Sequence, residues 1–197
     1  MSVDQSLKHP MHVQDIALAL SEIRRSGHLS GTSLDHIYLV GHSCGAHMIS
    51  SLLLRPPPGE DTAGDDPVAP DVYDSVKGVA LAEGIYDLDL LLKTFPDYRG
   101  FVQGAFDNID TASFSRFCVN RYKARHTITV QWLIIHSPGD TLVDLPQADA
   151  MFHHLRSQYS IVGSDPSKIE KDFVTLTGDH DEVLTSPEFV RLVKGMI

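Results

Sequence analysis

Residues 36–45 read HIYLVGHSCG, an apolar run that ends in the pattern Gly-x-Ser-x-Gly. The nearly continuous apolarity of residues 36–40 predicts a strand buried on both faces, as in a parallel sheet. Residues 46–54 are again largely apolar and predict a helix, which ends at the prolines after Arg55. A serine on such a sharp strand-to-helix turn presents its hydroxyl at the end of the sheet, so Ser43 is the candidate nucleophile.

The residues around Ser43 carry three further expectations. Gly41 and Gly45 are expected to let the helix pack close to the strand, so that a side chain at either position would collide. The backbone N–H of Cys44 is expected to donate to the oxyanion of an acyl-transfer intermediate. The Cys44 thiol itself is expected to be buried as a small apolar group.

The rest of the chain alternates helical and strand-like patterns, which predicts an α/β domain with a parallel sheet between layers of helices. Residues 56–74 contain five prolines and six acidic residues and predict a surface loop insertion. The single domain is expected to cover residues 1–197. The predicted elements are helix 11–26, strand 36–40, helix 46–54, strand 76–81, a mixed helical segment 87–107, strand 127–135, helix 146–157, strand 173–176 and helix 187–196.

Composition excludes several classes of function. Lys and Arg total 16 against 26 Asp and Glu, a net charge of −10, which argues against a nucleic-acid partner. No apolar run approaches the roughly 20 residues that a bilayer-spanning helix needs, so we expect no membrane partner and a cytoplasmic protein. The two cysteines, Cys44 and Cys118, lack the spacing of zinc ligands, and the sequence predicts neither a metal nor a cofactor.

A serine nucleophile needs a histidine base and a carboxylate that orients the histidine. Asp140 directly follows the strongest predicted strand, and His180 follows the last one, so both are expected on loops at the same end of the sheet. Asp144 competes with Asp140 but is expected to cap the next helix. Asp179 and Asp181 flank His180 and are expected to be solvated loop charges.

Several segments together resemble the kynurenine formamidases of the α/β-hydrolase superfamily. The Gly-His-Ser-x-Gly-Ala-His pattern would fit many esterases alone, but the segment Glu-Gly-Ile-Tyr-Asp-Leu beside it is more specific to this family. The matching segments are His9-Pro10 with Val13 and Asp15, residues 41–48, residues 83–88, the aromatic segment with Pro96, Tyr98, Phe101, Val102, Ala105 and Phe106, then His136-Ser137 with Asp140 and Leu142-Val143, and residues 180–184.

The resemblance implies a three-layer α/β-hydrolase-like sheet and the hydrolysis of N-formyl-L-kynurenine to L-kynurenine and formate, in tryptophan breakdown toward NAD synthesis. It places the catalytic serine, aspartate and histidine on Ser43, Asp140 and His180. His42, Glu83 and Tyr86 are candidates for the substrate pocket; Glu83 and Tyr86 would alternatively brace a neighbouring loop. Aromatic residues of segment 95–106 are further candidates, for stacking on the substrate's ring. A homodimer is the assembly that we consider.

The family also carries an early His-Gly-Gly-x-Trp segment that supplies a second oxyanion donor, and this sequence contains no Gly-Gly pair. The chain is therefore expected to lack the first strands of the fold and to represent its carboxyl-terminal two thirds. Two alternatives stay open: a related carboxylesterase that uses the same three residues, and a non-catalytic product that lacks the oxyanion loop.

Overall fold

The computed structural model describes residues 7–26, 34–57, 68–106, 113–125 and 129–197. Helices and strands alternate through these segments, and most follow the predicted boundaries closely. In chain order they are α1 (Met11–Ser26), β1 (Ile37–His42), α2 (Cys44–Leu53), α3 (Pro70–Ser75), β2 (Val76–Ala82), α4 (Leu88–Thr94), α5 (Arg99–Phe106), β3 (Gln131–Ile135), α6 (Leu145–Ile161), β4 (Ile169–Asp172) and α7 (Pro187–Met196).

The four strands form one sheet in the order β1-β2-β3-β4, and every neighbouring pair is parallel. This arrangement confirms the predicted α/β class. Because all four strands run in the same direction, their carboxyl ends meet at one edge of the sheet. The segments that follow β1, β2, β3 and β4 therefore lie close together, and they carry the candidate site.

The sheet is covered on both faces. One face, with Leu81 and Trp132, packs against apolar side chains of α1, α2 and α6. The opposite face, with Ala82 and Ile135, packs against α7. Burial on both sides explains why β2 and β3 have nearly continuous apolar sequences rather than alternating ones.

The final strand is not where the sequence predicted it. We expected a strand at 173–176, but β4 covers Ile169–Asp172, and Val174 lies beyond it with 80% of its surface exposed. Within the described residues β4 pairs only with β3, at the edge of the sheet, so the sequence Ile-Glu-Lys-Asp suffices for it. Polar residues are common on such edge strands, so the search for an apolar run selected residues 173–176 instead of the actual strand.

The predicted loop at 56–74 is corrected in part. Residues 58–67 lie outside the described residues, but Pro70–Ser75 form α3, and Val68 and Val72 are buried in the main core. Two apolar residues spaced four apart anchor this end of the segment, which the proline and acidic content concealed.

The start of the strand predicted at 127–135 also falls partly on residues outside the description, and β3 begins at Gln131. Among the described residues, no helix combines the length and apolarity needed to cross a bilayer.

Candidate active site

Ser43 occupies the sharp turn between β1 and α2. Its backbone has φ 53° and ψ −118°, a left-handed conformation that is unusual for a residue with a side chain. The turn is fixed by neighbours, since the Ser43 N–H donates to the Ala82 carbonyl (2.9 Å) and the Ser43 carbonyl accepts from the Ala46 N–H (3.1 Å). The strand-turn-helix context predicted from the sequence is therefore present.

The two glycines around Ser43 differ in their steric roles. A Cβ atom at Gly41 would lie 2.7 Å from the Ile49 side chain and 2.8 Å from the Gly45 backbone, so the prediction for Gly41 is confirmed. A Cβ atom at Gly45 would meet no heavy atom of the described residues within 4 Å, and the predicted collision there is wrong. A side chain at position 41 would collide with the backbone of Gly45. This contact does not require the residue at position 45 itself to be small.

Cys44 is the first residue of α2, and its burial also departs from expectation. We expected a buried thiol, but Cys44 is exposed. The first turn of α2 follows the end of β1 at the rim of the sheet, so its first side chain reaches solvent. The N–H groups of a helix's first turn have no acceptor within the helix, so the Cys44 N–H has no partner inside α2.

His180 and Asp140 form a short hydrogen bond, with 2.7 Å between His180 Nδ1 and Asp140 Oδ2. Only 8% of the His180 side chain and 0% of the Asp140 side chain is exposed. Burial opposes ionisation of Asp140, but the hydrogen bonds from His180 and from the N–H groups of Leu142 and Val143 outweigh it and lower its pKa to about 2. Burial likewise opposes protonation of His180, yet the bond to Asp140 and the nearby carboxylates raise its pKa.

Two loops that are distant in sequence hold this pair in place. The Ser137 hydroxyl donates to the Gly178 carbonyl (2.6 Å), which ties the loop after β3 to the loop before His180. The Asp179 carboxylate accepts from the Thr141 N–H (3.0 Å) and from the His180 N–H (2.8 Å). Asp179 was predicted to be a solvated charge; it is exposed, but it also joins the two loops.

His42 connects the turn at Ser43 to His180. The His42 Nε2 atom lies 2.9 Å from the His180 carbonyl oxygen, so Nε2 carries the hydrogen and donates it. The two imidazole rings are 4.5 Å apart between centroids. Burial lowers the pKa of His42, which favours the neutral ring. The structure thus brings the neighbour of Ser43, His180 and Asp140 into one continuous set of contacts at the carboxyl edge of the sheet.

Glu83 and Tyr86, both candidates for the substrate pocket, are fully buried, with 0% exposure each. The Glu83 side chain is directed toward Ser137 and His136, and the backbone N–H of Tyr86 donates to the Gln147 side chain (2.9 Å). Neither side chain presents surface to a bound molecule in this structure. Their contacts agree with the alternative in which they brace a neighbouring loop.

The other sequence candidates occupy the periphery of the site. Asp144 is at the predicted helix-cap position, but its side chain accepts from the Thr94 hydroxyl (2.8 Å) and makes no cap hydrogen bond. Tyr98 stacks on Phe95 with 5.1 Å between ring centroids, and its hydroxyl lies 3.4 Å from the Leu142 carbonyl. The aromatic segment 95–106 therefore adjoins the loop that carries Asp140.

Three clusters of possible ligand atoms occur in the described part of the chain. His42, His180 and Asp181 form one, and Asp87, Asp89 and Cys118 form another. In the second cluster Asp87 caps α4 and both aspartates accept hydrogen bonds from nearby groups, so their oxygens already have partners. The third cluster joins three buried side chains, Glu83, His136 and Asp140.

Comparisons with known proteins identify relatives of the chain by sequence and by fold. No family model matches the chain. It is 31% identical to a kynurenine formamidase of Eremothecium gossypii over 147 residues, which are 72% of this chain and 56% of that protein. It is 26% identical to a kynurenine formamidase of Scheffersomyces stipitis over 196 residues, which are 91% of this chain and 68% of that protein. The chain thus spans between about half and two thirds of the length of these curated relatives.

Solved structures show the same fold at much lower identity. Esterase B of Lactobacillus rhamnosis matches 98% of this chain and 62% of its own, with a TM-score of 0.68 and 16% identity. A bifunctional protein of Bacteroides eggerthii matches 96% of this chain and 25% of its own, with a TM-score of 0.69 and 17% identity. These structures show that the chain shares its fold with esterases. The related sequences identify the family: the chain belongs to the kynurenine formamidases.

Proposed function

We propose that the protein hydrolyses N-formyl-L-kynurenine to L-kynurenine and formate through Ser43, His180 and Asp140. The observation that carries this proposal is the 2.7 Å hydrogen bond between His180 Nδ1 and Asp140 Oδ2, in a histidine whose carbonyl also binds His42, the residue directly before Ser43. The related sequences that bear the name kynurenine formamidase supply the substrate class.

The reaction begins with proton transfer from Ser43. Because Asp140 is ionised and accepts from His180 Nδ1, the hydrogen of the neutral imidazole sits on Nδ1, and Nε2 has a lone pair for the Ser43 proton. The Ser43 oxygen attacks the formyl carbon, and the backbone N–H of Cys44 stabilises the oxyanion that forms. The carbon–nitrogen bond then breaks, and His180 Nε2–H protonates the departing aryl amine.

The second half of the reaction releases formate from formyl-Ser43. Water attacks the ester carbon while His180 takes its proton, and the returning proton restores the Ser43 hydroxyl. Only neutral His180 can act as the base, and its raised pKa means that the acidic limb of kcat/KM lies above the usual pKa of histidine, 6.5. Activity therefore falls as the pH decreases through this limb.

Substitution of Ser43 tests the proposal directly. Ser43→Ala should lower kcat/KM for N-formyl-L-kynurenine by at least about 1,000-fold, measured by the appearance of kynurenine. Ser51→Ala is a matched control, because Ser51 lies on the same helix, α2, and should keep wild-type activity. Equal rates for the wild type and Ser43→Ala would refute the mechanism.

A carboxylesterase is the second candidate, because the solved structures that resemble this chain include esterases. A formamidase should have a higher kcat/KM for formylkynurenine than for short p-nitrophenyl esters, and an esterase should show the reverse order. A non-catalytic protein, the third candidate, should not react with a fluorophosphonate. Labelling that is lost in Ser43→Ala would exclude this third candidate. The homodimer and the cytoplasmic location are also proposals, and light scattering on the purified protein tests the former.

A further inference from the structure

Glu83 occupies an unusual position directly after β2. Its backbone has φ 51°, and the residue is completely buried. Glu83 Oε1 accepts a hydrogen bond from the Ser137 N–H at 2.9 Å, and Oε2 lies 3.2 Å from His136 Nδ1. One carboxyl oxygen of Glu83 and one of Asp140 lie within 4.8 Å of each other, in the cluster that they form with His136. The Glu83 side chain thus contacts Ser137 and His136 in the loop that carries Asp140, and it lies close to the Asp140 carboxyl itself.

The partners of these groups determine where the protons are. His136 Nε2 lies 3.1 Å from the Val143 carbonyl, which can only accept, so Nε2 carries the ring hydrogen. In the neutral ring Nδ1 is then an acceptor, and it faces Glu83 Oε2. Asp140, which accepts from His180 and from two backbone N–H groups, is an acceptor as well. Two carboxyls this close repel each other when both are ionised, so one of them is favoured to keep its proton.

We propose that Glu83 is a positioning residue that stays protonated and, as a neutral acid, holds the ionised Asp140 in place behind His180. The acid links the ends of two strands. Its carbonyl oxygen accepts from the Ser137 N–H, and its hydroxyl carries the single proton that lies between the two acceptors near it, His136 Nδ1 and the Asp140 carboxylate. The catalytic effect of Glu83 rests on the proposed function. Its protonation state depends only on the folded structure.

The electrostatic surroundings of Glu83 support the neutral form. The titratable groups around it are His136 and Asp140 from the segment after β3, Tyr86 from its own loop, and His180 beyond Asp140. Burial, together with the adjacent Asp140, raises the pKa of Glu83 to about 9. Burial lowers the pKa of His136, so a charged histidine does not replace the protonated acid. The single net charge of the cluster then resides on Asp140.

Two substitutions of Glu83 separate this role from simple packing. Glutamine keeps the shape of the side chain, one acceptor, and a donor in place of the acid hydroxyl. The kcat/KM of Glu83→Gln should therefore stay within about threefold of the wild-type value, and the acidic limb of its pH profile should not shift. Alanine removes the bridge, so Glu83→Ala should lower kcat by about 100-fold with little change in KM, because the Asp140 loop loses its support. Comparable losses in both variants, or a shifted limb in Glu83→Gln, would overturn the proposal.

Gln147→Ala is the matched control for destabilisation. Gln147 is buried and makes three hydrogen bonds to the backbone of Tyr86 and Asp87, in the same loop as Glu83. This variant should lower the melting temperature while the pH profile of the remaining activity stays unchanged. A drop in kcat equal to that of Glu83→Ala would reduce Glu83 to a structural residue and contradict the proposal.

Two readouts do not depend on activity. At neutral pH the infrared spectrum of the wild type should contain the carbonyl stretch of a protonated carboxylic acid, and Glu83→Gln should lack it. The NMR-monitored pKa of His180 should be the same in the two proteins. If the wild type fails to hydrolyse formylkynurenine but shows the band, the positioning role stands and only the proposed function fails. Absence of the band, or a stoichiometric metal found by elemental analysis, would overturn the inference.

Discussion

At the scale of single residues, the site keeps two neighbouring carboxyls in opposite protonation states. The pKa of Asp140 is lowered to about 2, because hydrogen-bond donors overcome the cost of burial, and that of Glu83 is raised to about 9, because burial dominates. Their surroundings explain the difference: Asp140 faces an imidazole N–H and two backbone N–H groups, whereas Glu83 faces one N–H group and two acceptors. The residue types alone do not distinguish the two.

Replacing Asp140 by asparagine should nearly abolish activity. The amide no longer stabilises the imidazolium or fixes the tautomer of His180, and kcat is expected to fall by about 10⁴-fold. Asp144→Asn is the control, since Asp144 follows Asp140 on the same loop and its side chain accepts a hydrogen bond from the Thr94 hydroxyl. Steady-state kinetics on both variants provides the measurement, and a similar loss in the two would argue against Asp140 as the orienting carboxylate.

Glu83 should also make stability depend on pH. The unfolded chain releases this proton near its usual pKa of 4.5, and the folded protein holds it up to about 9. The folded state therefore binds the extra proton in this window, and its contribution to the free energy of unfolding falls as the pH rises, by at most about 1.4 kcal/mol per pH unit.

Glu83→Gln removes this proton from both states. Urea unfolding should therefore show the stability of Glu83→Gln rising relative to the wild type between about pH 5 and about pH 8. A constant difference across this range would mean that Glu83 ionises in the folded protein as it does in the unfolded chain. Asp140→Asn would not reproduce the trend, because the lowered pKa of Asp140 places its linkage in more acidic solution.

At the scale of elements, β1 and β2 are each followed directly by a residue with a left-handed backbone. These residues, Ser43 and Glu83, are the non-glycine residues with positive φ in the described part of the chain. Such conformations cost free energy and persist where the surrounding structure fixes them. The Gly-x-Ser-x-Gly pattern predicted the first, because its glycines mark the turn. No comparable pattern flagged the second, although Glu83 directly precedes a glycine.

The turn between β1 and α2 should tolerate alanine at one glycine and not at the other. Gly41→Ala would press a Cβ atom onto Ile49 and the Gly45 backbone, and should lower the free energy of unfolding by about 1–3 kcal/mol. Gly45→Ala meets open space and should raise it by up to about 1 kcal/mol, since alanine favours helix. Chemical denaturation measures both, and equal destabilisation would show that the helix approaches the strand more closely than the structure indicates.

At the scale of the whole molecule, the described residues form three apolar clusters, and two of them include residues of the sheet. The two clusters on the faces of the sheet include strand residues such as Leu81 and Ile135. The third, with Leu91 of α4 and Val102 of α5, contains helical and loop residues and no strand. It covers the side of the site next to Asp140, where Val143 joins it.

Native-state hydrogen exchange should reflect this division. Amides of α4 are expected to exchange through local opening at a lower free energy than amides of β2, because β2 pairs with strands on both sides and is covered on both faces. Exchange measured at increasing urea concentrations tests this expectation. Equal opening free energies for α4 and β2 would indicate one cooperative unit instead.

The sequence by itself determined the α/β class, the positions of most helices and strands, and the candidacy of Ser43, Asp140 and His180, because apolar runs and turn residues are local properties. Only the tertiary structure decided which groups meet. It placed Asp179 between two loops, exposed Cys44, moved the last strand to Ile169–Asp172 and buried Glu83 beside Asp140. Pairing at a sheet edge and the protonation of a buried acid depend on partners from distant segments, which no local pattern specifies.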